Sequence, residues 1–191
     1  MKPQTQLFDS VALRRAASRQ WVLKPQDLVV ALKLFVLGPE KLSYAALGKA
    51  LHLSPYEAHA AVQRLIAARL ATSIAGRIRL VVGSLQSFIV RGALYAYPPV
   101  RGAVTIGMPT AHAVAPLKDL VVGNNEIPPV WPDPAGKVRG QALLPLYPSA
   151  PRAARDDPRL YELLALFDAL RIGQARERDL ATRLLEERLR S

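Results

Sequence analysis

Cysteine is absent from the 191 residues. Its absence excludes disulfides, thiol catalysis and thiolate metal sites, and it fits a reducing cytoplasm. Histidine is scarce, and His52, His59 and His112 are too scattered to spell a zinc site. No apolar run approaches the length of a membrane-spanning helix. Charged residues and Gln interrupt the short apolar patches near the N-terminus, so no secretory leader is expected there. Acidic residues are in short supply, 15 against 26 Lys and Arg, for a net charge of +11. So basic a balance implies a polyanionic partner, either nucleic acid or an acidic membrane surface. The shortage of acid is local. Residues 1–91 carry 13 basic and 4 acidic side chains, net +9, whereas residues 92–191 carry 13 and 11, net +2.

Catalytic motifs are missing as well. Leu47-Gly48-Lys49 lacks the upstream glycine and the following hydroxyl residue of a phosphate-binding loop. Thr110, His112 and Asp119 supply a hydroxyl, an imidazole and a carboxylate, but nothing resembling a nucleophile elbow surrounds them. The chain therefore reads as non-enzymatic, with no cofactor and no metal. Arg171, Arg176 and Arg178 read as members of ion pairs on a solvated helix face.

Half of the residues are hydrophobic, enough for a sizeable core. The pattern predicts a mainly α fold with a small β component, in four parts. Residues 1–22 read as an arm, with Leu7, Phe8, Val11 and Leu13 followed by Arg14, Arg15 and Arg19. Residues 23–97 read as a helical domain with a trailing helix. Its first helix spans about Pro25 to Leu37, where Leu28, Val29, Leu32, Phe35 and Val36 recur at helical spacing. A second helix follows Ser43, a good N-cap, with Ala46, Leu47, Ala50 and Leu51 as its apolar side. The third starts at Ser54-Pro55-Tyr56-Glu57, a capping box with proline at N1, and carries Ala58, Ala61, Val62, Leu65 and Ile66 on one face to about Arg69.

Leu70 to Val82 alternates Ile78 and Leu80 with Arg77 and Arg79 around an Ala75-Gly76 turn, which predicts a hairpin. Ser84 is expected to cap the trailing helix. Residues 98–151 hold eleven of the 16 prolines along with Val104, Ile106, Trp131 and Tyr147, and predict short strands and turns over a core. Residues 152–191 predict a helical pair, opened by Asp157-Pro158 and punctuated by Gly173.

The run from Leu42 to Leu65 resembles a helix-turn-helix: Ala46 is small where two helices should cross, and His52-Leu53-Ser54 makes the turn. With a helix before and an Arg-bearing hairpin after, residues 24–82 resemble the winged helix-turn-helix of bacterial regulators and are broadly similar to MarR-type repressors. The resemblance implies a cytoplasmic transcriptional regulator, a repressor, that lays helix 54–69 in the major groove of double-stranded DNA with a wing at 72–82. On that reading Gln63 bonds adenine, Ala60 meets a thymine methyl, and Tyr56 and His59 reach a base or a phosphate. Lys49, Arg64, Arg77 and Arg79 neutralise phosphates or enter a minor groove, and Ser43 and Ser54 sit at helix N-termini where phosphates dock.

The leucine-rich C-terminal helices offer a homodimer contact or, equally, pack on their own domain. The alternative function is an antitoxin-like or accessory interaction protein. Its residues 98–191 would clamp a protein partner, with the apolar surroundings of Trp131 as the motive.

Overall fold

The structure is a computed structural model that describes residues 22–39, 43–121 and 127–190, so apart from Val22 the expected N-terminal arm lies outside the described residues. The described chain is mainly helical with a small sheet component.

Helix α1 (Pro25–Leu37) opens on a proline that has no N–H to satisfy, and the Asp27 carboxylate accepts the Lys24 N–H at 2.8 Å. Asp27 through Lys33 are all buried, so α1 has no solvent face for nearly two turns. Helix α2 (Tyr44–Leu51) is capped by the Ser43 hydroxyl, which accepts the Ala46 N–H. His52 then takes a left-handed conformation, φ +55°, and turns the chain into α3 (Pro55–Ala67). The residue at the close approach in this turn is Gly48, not Ala46. A Cβ on Gly48 would stand 2.7 Å from the Leu53 carbonyl oxygen, whereas Ala46 is exposed.

Arg69, φ +60°, ends the third helical segment and leads into β1 (Ala71–Ile74) and β2 (Arg77–Leu80). These pair antiparallel, with Ala71 opposite Leu80 and Ile74 opposite Arg77. Ala75 and Gly76 both have positive φ, the geometry of the tight turn that matches strand twist. Helix α4 (Val82–Phe88) starts two residues before Ser84, so Ser84 lies within it rather than capping it. A wider π-helical turn, Ile89–Ala93, and α5 (Leu94–Ala96) complete this arm of the chain.

The proline-rich segment forms strands. β3 (Arg101–Pro109) pairs antiparallel with both β4 (Pro129–Pro132) and β5 (Val138–Leu143), and β4 and β5 meet in parallel, which closes a three-stranded barrel. A barrel of so few strands forces backbones together. Gly107 packs on the Trp131 carbonyl and Gly140 on the Pro128 carbonyl, positions where a side chain would collide with main chain. A short 3₁₀ turn at Ala111–Ala113 and α6 (Leu117–Leu120) lie between β3 and β4.

Three helices close the chain: α7 (Ala150–Asp156), which the sequence pattern did not foretell, α8 (Pro158–Ile172) and α9 (Ala175–Arg188). The Asp157 carboxylate caps α8 as its sequence foretold, accepting the Arg159 and Leu160 N–H groups. Leu163 through Leu170 are buried without interruption, so α8 is a central helix with helices and barrel around it. The apolar side of α9 (Ala181, Leu185, with Leu189 just beyond) is buried as well. Of the leucines read as a dimer contact, Leu160, Leu163, Leu164, Leu170, Leu185 and Leu189 are buried within the chain, and Leu180 and Leu184 are half-buried against the same core.

One continuous cluster of buried side chains runs from Leu28 to Leu189. Two buried polar centres pin it. Asp27 pairs with Arg64 across α1 and α3. Asp168 on α8 accepts Thr110 Oγ1 at 2.7 Å and Trp131 Nε1 at 2.6 Å and pairs with Arg171, which ties barrel to helix. Trp131 is 2 % exposed. It anchors the interior and presents nothing to a partner.

The two halves of the chain also meet through Lys33 Nζ and Asp157 Oδ2 at 2.6 Å, His52 and Asp156 at 3.0 Å, and the Tyr147 hydroxyl donating to the Leu51 carbonyl. Burial alone would raise the Asp157 carboxyl. The Lys33 ammonium and the α8 N–H groups outweigh it and hold the group below the ordinary carboxylate value. The contribution of Asp157 to stability is thus fully present above that ordinary value and is lost as pH falls through the lowered one. We expect Asp157→Asn to lower the melting temperature at neutral pH, and the gap from the parent to close on acidification. A gap that stayed constant from about pH 7 to about pH 3 would remove the assignment.

Candidate nucleic-acid interface

Helix α3 sits with Ala58, Ala61, Val62 and Leu65 against the core, which turns the opposite face outward. Tyr56 is 79 % exposed, His59 is exposed, and Ala60 and Gln63 are half-buried. The outer side chains are not independent. The Tyr44 ring meets the His59 ring edge-on, centroids 4.8 Å apart, and the amide of Gln63 lies 3.4 Å from His59 Nε2. Tyr44 from α2 thereby braces His59, and His59 braces Gln63. Tyr44 was not singled out in the sequence because an aromatic at the start of a short helix carries no signal of what it touches.

Arg64 departs from the expected set. It is 8 % exposed and forms a bidentate pair with Asp27, Nε to Oδ2 at 2.7 Å and Nη2 to Oδ1 at 2.6 Å. These hydrogen bonds raise the guanidinium above its ordinary value. Arg64 is a core residue that orients α3 and is not available to a phosphate.

Ser54 departs as well. Its backbone N–H and its hydroxyl both donate to Glu57 Oε2, at 2.9 and 2.7 Å, and its Oγ faces the Glu57 N–H at 3.2 Å. The same contacts hold the Glu57 carboxyl below its ordinary value, so an ionised carboxylate stands at the α3 N-terminus. That charge opposes a phosphate at the one place where the helix dipole would have favoured it. The N-terminus of α2 differs: Ser43 is exposed and no carboxylate pairs with it among the described residues.

Arg77 and Arg79 are exposed on one face of β2, while Ile78 and Leu80 turn their half-buried side chains the other way. The hairpin leans over a cleft of about 780 Å³ whose apolar wall includes Leu34, Phe35 and Leu47. Ser43, Tyr44, Arg77 and Arg79 all line it, so the start of α2 and the basic strand belong to one region of surface. Lys49 is exposed in the last turn of α2. Arg69, exposed where α3 gives way to the hairpin, adds a further cation beside these residues in sequence.

Thr110, His112 and Asp119 do not come together as a hydroxyl, an imidazole and a carboxylate in line. The Thr110 hydroxyl is spent on Asp168, Asp119 is exposed, and His112 lies beside Glu177 instead. Among the described residues no cluster of His, Asp and Glu is arranged to hold a metal ion, and no helix is long and apolar enough to cross a membrane. Arg171, by contrast, does make the i,i+3 pair with Asp168 expected of it, although the pair is buried rather than solvated. Comparison with family models, with curated proteins and with solved structures returns no match.

Two substitutions separate core from surface. Arg64→Ala leaves the Asp27 carboxylate buried and uncompensated, and should cost about 3–5 kcal/mol in urea unfolding. Tyr56→Ala should stay within about 0.5 kcal/mol of the parent. Ala75 pays a steric penalty for its positive φ that Asn or Gly largely escapes. Ala75→Asn should therefore stabilise the protein by about 0.5–1 kcal/mol, and a loss of stability would contradict the turn geometry.

Proposed function

We propose that residues 24–82 act as a winged helix-turn-helix, and that the protein is a cytoplasmic DNA-binding transcriptional regulator, a repressor that works by occupying its site. The observation that carries this reading is the outer face of α3. Tyr56, His59, Ala60 and Gln63 form a surface whose only acidic neighbour on the helix is Glu57, and an exposed basic strand lies in the same domain. With its side chains α3 is about 10–12 Å across, which matches the major-groove width of about 12 Å, and at about 1.5 Å rise per residue it extends about 20 Å along the groove.

In this reading Gln63 bonds a base edge, with adenine as the natural bidentate partner. Tyr56 and His59 contact a base or the backbone at the leading end. Arg77 and Arg79 neutralise phosphates or enter the adjacent minor groove, and Lys49 and Ser43 hold the backbone beside α2. Glu57 sets a limit on register, because phosphate cannot approach the capped end of α3.

A second reading has one observation in its favour. Val100, Val104, Ile106 and Leu144 are exposed apolar side chains around β3, on the half of the molecule opposite in sequence to α3. An accessory protein would use that patch on a protein partner. On this reading Ile106→Lys releases a protein encoded beside it and co-expressed with it, while DNA affinity is untouched.

The test of the first reading is equilibrium binding to duplex DNA across a salt series. Arg77→Ala combined with Arg79→Ala should weaken binding at every sequence and lower the salt slope by about two units, since each phosphate contact contributes about 0.9. The melting temperature should not move, because both side chains are exposed. Gln63→Ala should instead relax discrimination at one base pair by about 1–3 kcal/mol and leave the slope intact. Duplex binding that is unaffected by the double arginine substitution would refute the wing assignment, and absence of salt-dependent binding would refute the function.

A further inference from the structure

A second cavity, of about 400 Å³, lies between the barrel and the corner that joins α8 to α9. Its size falls within the range of small-molecule sites. Its lining mixes apolar residues, Pro129, Leu143 and Ile172 among them, with the polar Arg101, His112, Gln141, Gln174 and Glu177.

Two of these polar groups have incomplete partners. Arg101 makes one long hydrogen bond, Nη2 to the Ile172 carbonyl at 3.4 Å, and no carboxylate among the described residues lies within ion-pairing distance of it. The His112 side chain is 14 % exposed, and its Nδ1 is buried without a hydrogen-bond partner. Glu177 Oε1 stands 3.6 Å from that nitrogen, close enough for charge attraction and too far for a hydrogen bond. The other Glu177 oxygen accepts the Gln174 N–H at 3.0 Å. A buried polar atom without a partner is destabilising, and native proteins hold few of them.

We propose that this cavity binds a small aliphatic carboxylic acid. Its carboxylate lies between the Arg101 guanidinium and the His112 imidazole, and its hydrocarbon lies against Pro129, Leu143 and Ile172. The chemistry selects the ligand in three ways. The planar fork of Arg101 matches a carboxylate and lacks an acid to neutralise it. The Glu177 carboxylate in the lining opposes any anion, and a dianion such as phosphate about twice as strongly as a monoanion. The apolar part of the lining rewards hydrocarbon and leaves a purely polar anion poorly desolvated. The inference does not depend on DNA recognition, because none of these residues belongs to the α3 surface.

The test is calorimetry and thermal melting of the full chain with hexanoate as the probe. Hexanol, hexylamine and inorganic phosphate serve as comparisons. Hexanoate should bind saturably and raise the melting temperature with concentration, as any ligand of the native state does. Hexanol, hexylamine and phosphate should each bind at least about tenfold more weakly, since each lacks the charge, the sign or the hydrocarbon.

Arg101→Gln and His112→Gln should each weaken hexanoate by about tenfold or more, whereas Arg152→Gln, on the exposed side of α7, should leave it unchanged. Arg101 is exposed and makes one weak contact, so its variant keeps the fold and remains a fair test even if the His112 variant does not. The proposal is overturned if hexanol or phosphate binds as tightly as hexanoate. It is equally overturned if Arg101→Gln retains parental affinity, or if no saturable binding appears up to about 10 mM, a lenient limit for so small a ligand.

Discussion

A carboxylate placed where water cannot reach it must be given a cation, and Asp27 is such a group. It is fully buried in the first turn of α1, and among the described residues the cationic side chain paired with it comes from α3. The pair fixes how the two helices cross and how α3 is rotated about its own axis. That rotation decides which residues face solvent. Every property attributed to the α3 surface, including the exposure of Tyr56 and the bracing of Gln63 by His59, depends on Arg64 being drawn inward. Burial of the pair need not add net stability, because desolvation offsets the attraction. Its effect is to make other rotations of α3 costly, since each would strand a charge.

Asp168 repeats this logic in the second half. Thr110 and Trp131 come to it from the barrel side and Arg171 from its own helix, so that one carboxylate sets the seat of the barrel. Tyr161 adds to the seam. Its hydroxyl donates to the Pro109 carbonyl, its ring packs beside Trp131, and burial pushes its own ionisation up to about 12. The halves are then joined at the Leu51–His52 turn, which Tyr147 and Asp156 reach from the far end of the chain. Helices α1 to α3 and the C-terminal helices are parts of one packed body. A ligand in the barrel cavity and a surface on α3 would therefore share a common interior.

Much of the local structure was legible. Ser43, Ser54 and Asp157 cap the helices their sequences foretold, because capping needs only a side-chain oxygen within three residues of the N–H it accepts. The Ala75-Gly76 turn and the alternation of Ile78 and Leu80 with two arginines foretold the hairpin for the same local reason. The candidate surface was legible in part. Tyr56, His59, Lys49, Arg77 and Arg79 are exposed as their spacing implied, but Arg64 is not. At helical spacing a charged residue reads as outward. The partner that reverses this is 37 residues away, and no local pattern records it. Glu57 shows the converse, since the capping box was plain while its consequence, a negative charge guarding the N-terminus, needed the geometry.

By itself the sequence determined the helical periods, their caps, the tight turn and the excess of positive charge in the first 91 residues. These depend on neighbours within a turn or two, or on composition alone. Only the tertiary structure decided that Arg64 turns inward to Asp27, and that the proline-rich residues 98–151 close a barrel. It also decided that Trp131 is sealed inside and that Arg101 and His112 share a cavity. Each of those outcomes follows from which distant segments meet, and that is set by the packing of the whole core, where a buried charge or a backbone contact excludes every arrangement but one.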